Sequence, residues 1–268
     1  MQVTPYKLAM KTFLRNIAPY FIIKALRRLR KQQEKRIYRG NEVTCPVCGH
    51  SSGSYAPYRP GNRKNARCIH CGSLERHRLQ LLYLTEKTNL FTAATPLRLL
   101  HFAPEKNLYD IIARYQHIDY TLCDFSPKSA DFRGIPGMQK ADITNLQFPD
   151  NFFDVILCNH VLEHIEDDRR AMQELYRVMA PGGWGIFQVP IRWRHETYED
   201  FSITSPGERK KAFHQSDHVR IYGRDYPERL GGAGFTVIQD AYASTIPEAE
   251  RYRFGINPRE IIFLCRKK

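Results

Sequence analysis

The chain of 268 residues is basic, with 41 Lys and Arg against 28 Asp and Glu and a formal net charge of +13. Hydrophobic residues make up 42% of the sequence, which excludes a wholly disordered chain and allows one large domain or two smaller ones. Seven cysteines favour a reduced compartment over a disulfide framework. The apolar run at 17–25 is broken by Pro19 and Lys24, so we expect neither a signal peptide nor a membrane span and predict a cytoplasmic protein.

Most of the charge lies in residues 1–40, which hold eleven Lys or Arg and one acid, giving +10 and leaving 13 − 10 = +3 for the rest. Helical spacing after Pro19 predicts an amphipathic helix. Its apolar face comprises Phe21, Ile22, Ala25, Leu26 and Leu29, and its basic face Lys24, Arg27, Arg28, Lys31 and Lys35. We favour binding to the anionic inner surface of a membrane. Packing of the apolar face on the body of the protein and binding to RNA are the alternatives.

Two Cys-x-x-Cys pairs follow the tail, each ending in glycine: Cys45 and Cys48 before Gly49, and Cys68 and Cys71 before Gly72. The nineteen-residue spacing is typical of a four-cysteine zinc site, whose closed geometry would make the metal structural. Two separate redox pairs are the alternative. His50, His70 or His77 could replace a thiolate, although four cysteines suffice.

The segment between the cysteine pairs is both basic and aromatic, as in surfaces that bind nucleic acid, although a solvated loop is equally compatible. Its residues of this kind are Tyr55, Tyr58, Arg59, Arg63, Lys64 and Arg67. Ser73 then predicts the N-cap of a helix that ends near Asn89 and links the cysteine module to the next domain.

The stretch from Phe148 to Ile191 reads as strand, loop, helix, turn and strand, which predicts parallel strands with a right-handed crossover. Phe153 to Leu157 is a short apolar strand, and Pro181-Gly182-Gly183 is expected to stop the helix before a strand at 184–189. Ligands of open parallel sheets bind at the carboxyl ends of the strands. Those ends are here 158–160 and 189–190.

Three segments of this stretch together resemble the class I S-adenosylmethionine-dependent methyltransferases, in a subfamily similar to methyltransferase type 11. They are Phe153-Asp154-Val155-Ile156, Val161-Leu162-Glu163-His164-Ile165 and Arg177-Val178-Met179-Ala180-Pro181-Gly182-Gly183. The resemblance extends from about Leu97 to Cys265. It implies an α/β fold, a doubly wound, mostly parallel seven-stranded Rossmann-like sheet, and an enzyme that uses S-adenosylmethionine.

The resemblance, with the strand ends, also implies cofactor-binding residues. Asp124, which ends the second strand at 118–123, would accept hydrogen bonds from the ribose, and Phe125 would stack on adenine. Asp142 matches the acid that receives the adenine amino group, and Ile143 would pack on the ring. Asn159, at the end of the fourth strand, completes the expected set.

The first turn, Ala103-Pro104-Glu105-Lys106, departs from the family, which has glycines where Ala103 and Glu105 stand. We assign both residues to the cofactor site, since Ala103 is small and Glu105 could meet the ammonium or sulfonium charge. A first-turn helix acid is the alternative for Glu105. The departure also leaves two other functions open, an RNA-binding protein with a degenerate methyltransferase domain and a scaffold that binds the cofactor without turnover.

Methyl transfer needs a base only where the acceptor must lose a proton. We rank His164 first, because it matches the family's His-Ile pair, and then His160, ahead of His195 and His218. The predicted organisation is a tail (1–40), a zinc-binding module with a linking helix (41–91) and a methyltransferase domain (92–268), in which an insertion at about 192–225 covers the substrate. A membrane-associated glycan or lipid-linked precursor is the favoured acceptor, with ribosomal or other RNA as the alternative.

Overall fold

The computed structural model describes residues 20–58, 63–126 and 134–268. The helices, in chain order, are α1 (Tyr20–Ile37), α2 (Glu75–Glu86), α3 (Lys106–Ile112), α4 (Asp168–Val178), α5 (Pro206–Phe213), α6 (Tyr226–Gly232), α7 (Tyr242–Thr245) and α8 (Glu248–Phe254). The strands are β1 (Val43–Thr44), β2 (Ser51–Ser52), β3 (Ala56–Tyr58), β4 (Arg63–Arg67), β5 (Leu97–Phe102), β6 (Ile118–Asp124), β7 (Gln139–Lys140), β8 (Phe153–Asn159), β9 (Met179–Gln188), β10 (Ile191–Arg192), β11 (Tyr198–Glu199), β12 (Arg220–Gly223), β13 (Thr236–Asp240) and β14 (Ile262–Arg266).

A seven-stranded sheet in the order β13-β14-β9-β8-β5-β6-β7 forms the centre of the molecule. Strands β5 to β9 pair in parallel, whereas β14 pairs antiparallel with both β9 and β13. This topology confirms the predicted doubly wound, mostly parallel sheet with an antiparallel edge. The carboxyl ends of β5, β6, β8 and β9 therefore lie along one edge of the sheet.

Helix α4 and the strand after it show how the local sequence sets the ends of the elements. Asp167 caps α4 by accepting a hydrogen bond from the backbone of Arg170 at 3.0 Å. The helix ends at Val178, three residues before Pro181, so the prediction that Pro181-Gly182-Gly183 stops it was wrong. Those residues lie inside β9, where Gly182 has a φ of 77° and accommodates the irregular start of the pairing with β8.

The cysteine module consists of two short antiparallel pairs, β1 with β2 and β3 with β4, followed by α2. Ser73 does not cap α2, because the N-cap is Leu74, whose backbone N–H donates to His77 Nδ1 at 3.2 Å. The basic and aromatic segment is a hairpin and not an open loop. Tyr55 in front of it is buried, and Arg67 is paired with Glu34 at 2.9 Å.

Helix α2 packs into the same core cluster as β5, β8 and β14. Its Arg78 is fully buried and donates to carbonyl groups from two distant segments, those of Ala66 and Ser73 in the cysteine module and those of Phe254 and Gly255 at the C-terminal end of α8. The cysteine module is thus attached to the sheet domain by buried hydrogen bonds as well as by apolar contacts.

The predicted insertion contains its own three-stranded sheet, in the order β10-β12-β11, and helix α5. Buried charges anchor it. Asp168 at the start of α4 accepts from Arg229 at 2.9 Å and from the Tyr222 hydroxyl at 2.7 Å, while Glu199 pairs with Arg220 at 2.8 Å and with Arg229 at 2.7 Å. These contacts hold the insertion beside the carboxyl end of β8.

Helix α1 matches the predicted basic helix, with Leu26 and Leu29 exposed. Residues 1–19, Arg59 and the side chains of Phe21, Ile22, Lys24 and Arg27 lie outside the described part of the chain. None of the described helices combines the length and apolar character that crossing a membrane requires.

Candidate functional site

The four cysteines of the two knuckles converge on one point. The sulfur atoms of Cys45 and Cys71 are 3.7 Å apart, and those of Cys48 and Cys68 are 3.8 Å apart. A tetrahedral zinc ion with Zn–S bonds of about 2.3 Å would have sulfurs about 3.8 Å apart, so these four could hold one ion.

The backbone of both knuckles follows the prediction from the two glycines. Gly49 and Gly72 have φ values of 71° and 78°, a conformation that side-chain-bearing residues avoid. Each glycine N–H donates to the carbonyl of the first cysteine of its pair, at 2.8 Å to Cys45 and 2.9 Å to Cys68. The two halves of the site are therefore built alike.

Glu105 lies at the carboxyl edge of the sheet, enclosed by three side chains from separate elements. Its carboxylate oxygens are 3.8 Å from His77 Nε2, 3.5 Å from His101 Nε2 and 3.4 Å from the side-chain nitrogen of Asn159. Both imidazole nitrogens are buried without a hydrogen-bond partner. Among the described residues, Glu105 pairs with no Lys or Arg.

The pKa values of Glu105 and His77 depend on how deeply each side chain is buried and on the charged groups that it contacts. Burial lowers the pKa of His77 to about 4, against the opposing effect of Glu105, so His77 is neutral at pH 7. Burial raises the pKa of Glu105, but contacts with His101, His77 and His160 outweigh it and lower the pKa to about 2. The edge of the sheet therefore carries a buried anion beside a neutral imidazole, which suits a cationic ligand.

Beside Glu105 a cavity of about 10 Å³ is lined by residues that include Gln80, Asn159 and His160. The side-chain amides of Gln80 and Asn159 bond to each other at 3.0 and 3.3 Å and fill the space next to the carboxylate. The donor set thus fits the charged amino-acid portion of S-adenosylmethionine. The cavity is too small for that portion, so the paired amides of Gln80 and Asn159 must separate or shift before it can bind.

The other predicted cofactor residues lie along the same edge. Ala103 has a φ of 45°, the left-handed conformation for which a glycine was expected, and its N–H donates to the Cys123 carbonyl at 2.8 Å. Asp124 is buried at the end of β6, and its carboxylate accepts from the backbone of Ser126 at 2.8 Å. Phe125, next to it, is 65% exposed.

Asp142 and Ile143 lie just after β7, separated from it by Ala141, and have different environments. Asp142 accepts from the backbone and hydroxyl of Thr144 at 2.9 and 2.7 Å. Ile143 is buried in the core beneath the sheet edge. The segment 127–133, which follows Phe125, lies outside the described residues.

A cleft of about 710 Å³ opens on the other side of His160. Its walls come from the end of β8, the insertion and the segment at 257–263, and include Arg76, Trp193, Arg259, Glu260 and Phe263. His160 and Glu260 border both this cleft and the small cavity beside Glu105. Burial raises the pKa of Glu260. The cleft is therefore the space in which a second substrate could approach the Glu105 edge.

The candidate bases divide between the cleft and the surface. His160, His164 and His218 all line the cleft, whereas His195 is exposed and lies outside it. His160 adopts a φ of 54°, and its N–H donates to the Gln188 carbonyl at 2.7 Å, which fixes the turn after β8. His164 Nδ1 is 3.1 Å from the carbonyl oxygen of Asp217.

The residues that face Glu105 or its cavity and were not predicted as site residues include His77, Gln80, His101 and Glu260. His77 was considered only as a spare metal ligand, because it follows the second cysteine pair closely. Nothing in the helical pattern of α2 indicates that its N-terminal half covers the edge of the sheet. The segment at 257–261 gave no signal of its role, since it lies far along the chain from the strand ends.

Comparison with known proteins supports the fold. Residues 106–187 match a family model described as a methyltransferase domain. Residues 106–187 therefore form a methyltransferase domain. This confirms the resemblance predicted from the motifs around β8 and β9.

Individual relatives match over part of their length. A demethylmenaquinone methyltransferase of Chlamydia trachomatis is 30% identical over 114 residues, which are 36% of this chain and 48% of that protein. A ubiquinone/menaquinone biosynthesis C-methyltransferase of Bdellovibrio bacteriovorus is 37% identical over 73 residues, 25% of this chain and 31% of its own. The chain thus spans about half the length, or less, of these relatives. Among solved structures, the [4+2]-cyclase SpnF is 18% identical with a TM-score of 0.46, covering 80% of this chain and 86% of its own.

Proposed function

We propose that this protein transfers a methyl group from S-adenosylmethionine to an acceptor bound in the cleft beside His160. The observation that carries the proposal is the buried Glu105 carboxylate, which faces a neutral imidazole and makes no Lys or Arg pair among the described residues. A carboxylate that is buried yet stays ionised at a ligand-binding edge of the sheet favours a cationic ligand. The matched methyltransferase domain supplies the identity of that ligand.

In this proposal the residues along the sheet edge hold the cofactor, whose chemical contribution is a methyl group on a positively charged sulfur. Glu105 and Asn159 would face the amino-acid portion, with Ala103 forming the turn above it. Asp124 would accept from the ribose hydroxyls. The remaining predicted residues would surround the adenine: Phe125, Asp142 and Ile143.

For the proton of the acceptor we propose His160 ahead of His164. His160 borders both the cavity next to Glu105 and the cleft, so it lies between the two proposed substrates. Its Nδ1 is 3.3 Å from Glu163 Oε1, a contact that orients the ring at the border of the cleft. His164 remains the second candidate, and its side chain is held further into the insertion by Asp217.

The acceptor we propose is a hydroxyl-bearing molecule such as a membrane-associated glycan or lipid-linked precursor. Charged and aromatic side chains line the cleft together, which suits a polar molecule with an apolar portion. The relatives above are named for methylation of quinone precursors, and such a ring compound is the second candidate, ahead of RNA. Methyl-transfer assays with glycan, quinone-precursor and RNA fractions would separate the three.

We propose further that the four cysteines hold one structural Zn²⁺. The distances between their sulfurs match a closed tetrahedral site, and the two glycine knuckles fix the cysteine backbones before the metal binds. With all four positions taken by thiolates, the ion would stabilise the module and take no part in the reaction.

Calorimetric titration with S-adenosylmethionine tests the cofactor site. Asp124→Ala should weaken binding by about tenfold or more, because a hydrogen bond to a charged acceptor contributes about 1.5–3 kcal/mol. Asp119, exposed on the same strand, provides the matched control, and Asp119→Ala should leave affinity unchanged. If the unaltered protein shows no binding, the enzyme proposal fails and the RNA-binding interpretation replaces it. Binding without methyl transfer to any of the acceptor fractions would favour the scaffold.

A further inference from the structure

A second group of metal-binding side chains lies on the floor of the cleft, away from the cysteines. Glu163, His164 and His218 each offer one ligand atom, and these atoms lie within 4.8 Å of one another. Glu163 and His164 belong to the short 3₁₀ turn after β8, and His218 comes from the insertion just before β12. Two separate parts of the chain therefore bring their donors together.

Glu163 is the residue that indicates a ligand. Its side chain is 2% exposed, and its Oε2 has no hydrogen-bond partner. The other oxygen, Oε1, is 3.3 Å from His160 Nδ1. A buried carboxylate oxygen without a partner costs free energy, which a bound cation would recover.

The two histidines are held in place by their surroundings. His164 Nδ1 is 3.1 Å from the Asp217 carbonyl oxygen, which assigns the proton of the neutral ring to Nδ1 and leaves the lone pair on Nε2. A ring N–H bonded to a carbonyl is the usual support of a histidine that binds a metal. His218 is 5% exposed, and its ring meets that of His164 edge to face at 4.7 Å.

We propose that Glu163, His164 and His218 bind a divalent transition-metal ion at the floor of the cleft. Two imidazoles and one carboxylate form a donor set that suits Zn²⁺, Mn²⁺ or Fe²⁺ and leaves coordination positions open. Donors around one zinc ion are about 3–3.5 Å apart, so small side-chain rotations would close the site. Because all three residues line the cleft, the open positions would face the acceptor.

The role of the ion rests on the proposed function. An acceptor hydroxyl bound to a divalent cation loses its proton more readily, since the cation stabilises the alkoxide or phenolate. His160, whose Nδ1 lies 3.3 Å from Oε1 of the same Glu163, would accept that proton. The substrate class this assigns is an alcohol or phenol, and vicinal hydroxyls would be favoured because two open positions could bind both.

The site itself can be tested with metal ions alone. Full-length protein saturated with Zn²⁺ and passed through a desalting column should retain two ions per chain by elemental analysis, one of them in the cysteine site. Glu163→Gln and His218→Gln should each retain one. His195→Gln, a change of an exposed histidine in the same insertion, should retain two. One ion in the unaltered protein, or two in Glu163→Gln, would overturn the proposal.

Thermal unfolding separates a lost ligand from a lost fold. In a chelator that leaves the cysteine zinc in place, Glu163→Gln should melt no lower than the unaltered protein, since it replaces a buried carboxylate that has one oxygen without a partner with a neutral amide. Added Mn²⁺ should then raise the melting temperature of the unaltered protein and not that of the variant. A variant that melts lower in chelator yet still responds to Mn²⁺ would show that Glu163 is a packing residue and not a ligand.

The chemical role has a separate readout. Removing the second ion should raise KM for a hydroxyl acceptor and shift the pH profile of kcat to higher pH, while the affinity for S-adenosylmethionine stays unchanged. A site that fills with metal but leaves both the acceptor KM and the pH profile unaltered would contradict this role. Loss of cofactor binding would instead count against the function proposed above.

Discussion

Glu105 stands at a position of the first turn where the family carries a glycine. A nearby residue supplies the backbone conformation that such a glycine would adopt. The backbone conformation usually left to glycine is taken by Ala103, two residues earlier, with a φ of 45°. The resemblance allowed Glu105 to be predicted as a cofactor residue. Its partner His77 could not be predicted, because it comes from a helix whose position over the sheet is decided by packing.

At the scale of single residues, we predict that His77 makes stability depend on pH. Its folded pKa of about 4 lies below the ordinary value of 6.5, so between these pH values the unfolded chain binds a proton that the folded chain does not. The free energy of unfolding should therefore fall as pH drops from about 6.5 to 4, by up to about 3 kcal/mol from this group. Urea unfolding at several pH values measures the slope.

The matched variants are His77→Gln and His195→Gln. His77→Gln removes the titrating ring, so its stability should fall less steeply over this pH range than that of the unaltered protein. His195 is exposed, and His195→Gln should keep the full dependence. Equal slopes in all three proteins would show that His77 is not held neutral by burial.

At the scale of elements, the start of α4 offers adjacent aspartates with different functions. Asp167 caps the helix, and caps contribute about 1 kcal/mol. Asp168 neutralises the charge of Arg229 in a buried network of ion pairs. Removing one partner of a buried ion pair costs about 3–5 kcal/mol. We therefore expect Asp168→Ala to lower the free energy of unfolding several-fold more than Asp167→Ala, as measured by urea denaturation. Comparable losses would mean that the network is solvated.

A second prediction at this scale concerns the cysteine knuckles. Gly72 has a φ of 78° with open space around it, so Gly72→Ala is strained only by its backbone and should cost about 1 kcal/mol. Gly207 also has open space but an ordinary φ, and Gly207→Ala should be nearly neutral or stabilising. Urea unfolding of zinc-loaded protein compares them. A neutral Gly72→Ala would mean that the knuckle tolerates another backbone conformation.

The parallel strands around α4 could be predicted, because the apolar run at 153–157 and the motifs that follow it are local signals. Their ends could not. The motif Pro181-Gly182-Gly183 indicates a turn, yet β9 runs through it, and the backbones of Gly182 and Gly183 bond to that of Lys267, the residue after β14. The sheet within the insertion also went unpredicted, since its strands of two to four residues depend on contacts with Arg220 and Asp168 that no local pattern records.

At the scale of the whole molecule, charge is concentrated at one end, with +10 of the +13 in residues 1–40. Leu26 and Leu29 on α1 are 60% and 56% exposed, so the described part of the apolar face is open to a partner. We propose that this helix lies on an anionic membrane surface, as expected from its pattern.

The cleft, by contrast, is assembled from segments as distant as residues 58 and 263, which explains why its shape could not be predicted from sequence.

Vesicle flotation with anionic lipid tests this proposal. Leu26→Asp with Leu29→Asp should abolish flotation, because it removes apolar surface and adds two negative charges. Gln32→Asp with Gln33→Asp adds the same charge on exposed positions of the same helix and should weaken flotation only partly. Equal loss in both would show that charge alone governs binding, and undiminished RNA binding by the leucine variant would favour RNA as the partner.

Arg78 also sets an order of events during protein synthesis. Two of the four carbonyl groups that it binds, those of Phe254 and Gly255, are made 176 and 177 residues after Arg78 itself. At about 5–20 residues per second, roughly 10–35 s pass before those partners exist. Throughout that interval the nascent cysteine module has its thiols but lacks the clamp that anchors it. We therefore expect metal capture on the ribosome to protect the emerging chain from oxidation before its final fold is possible.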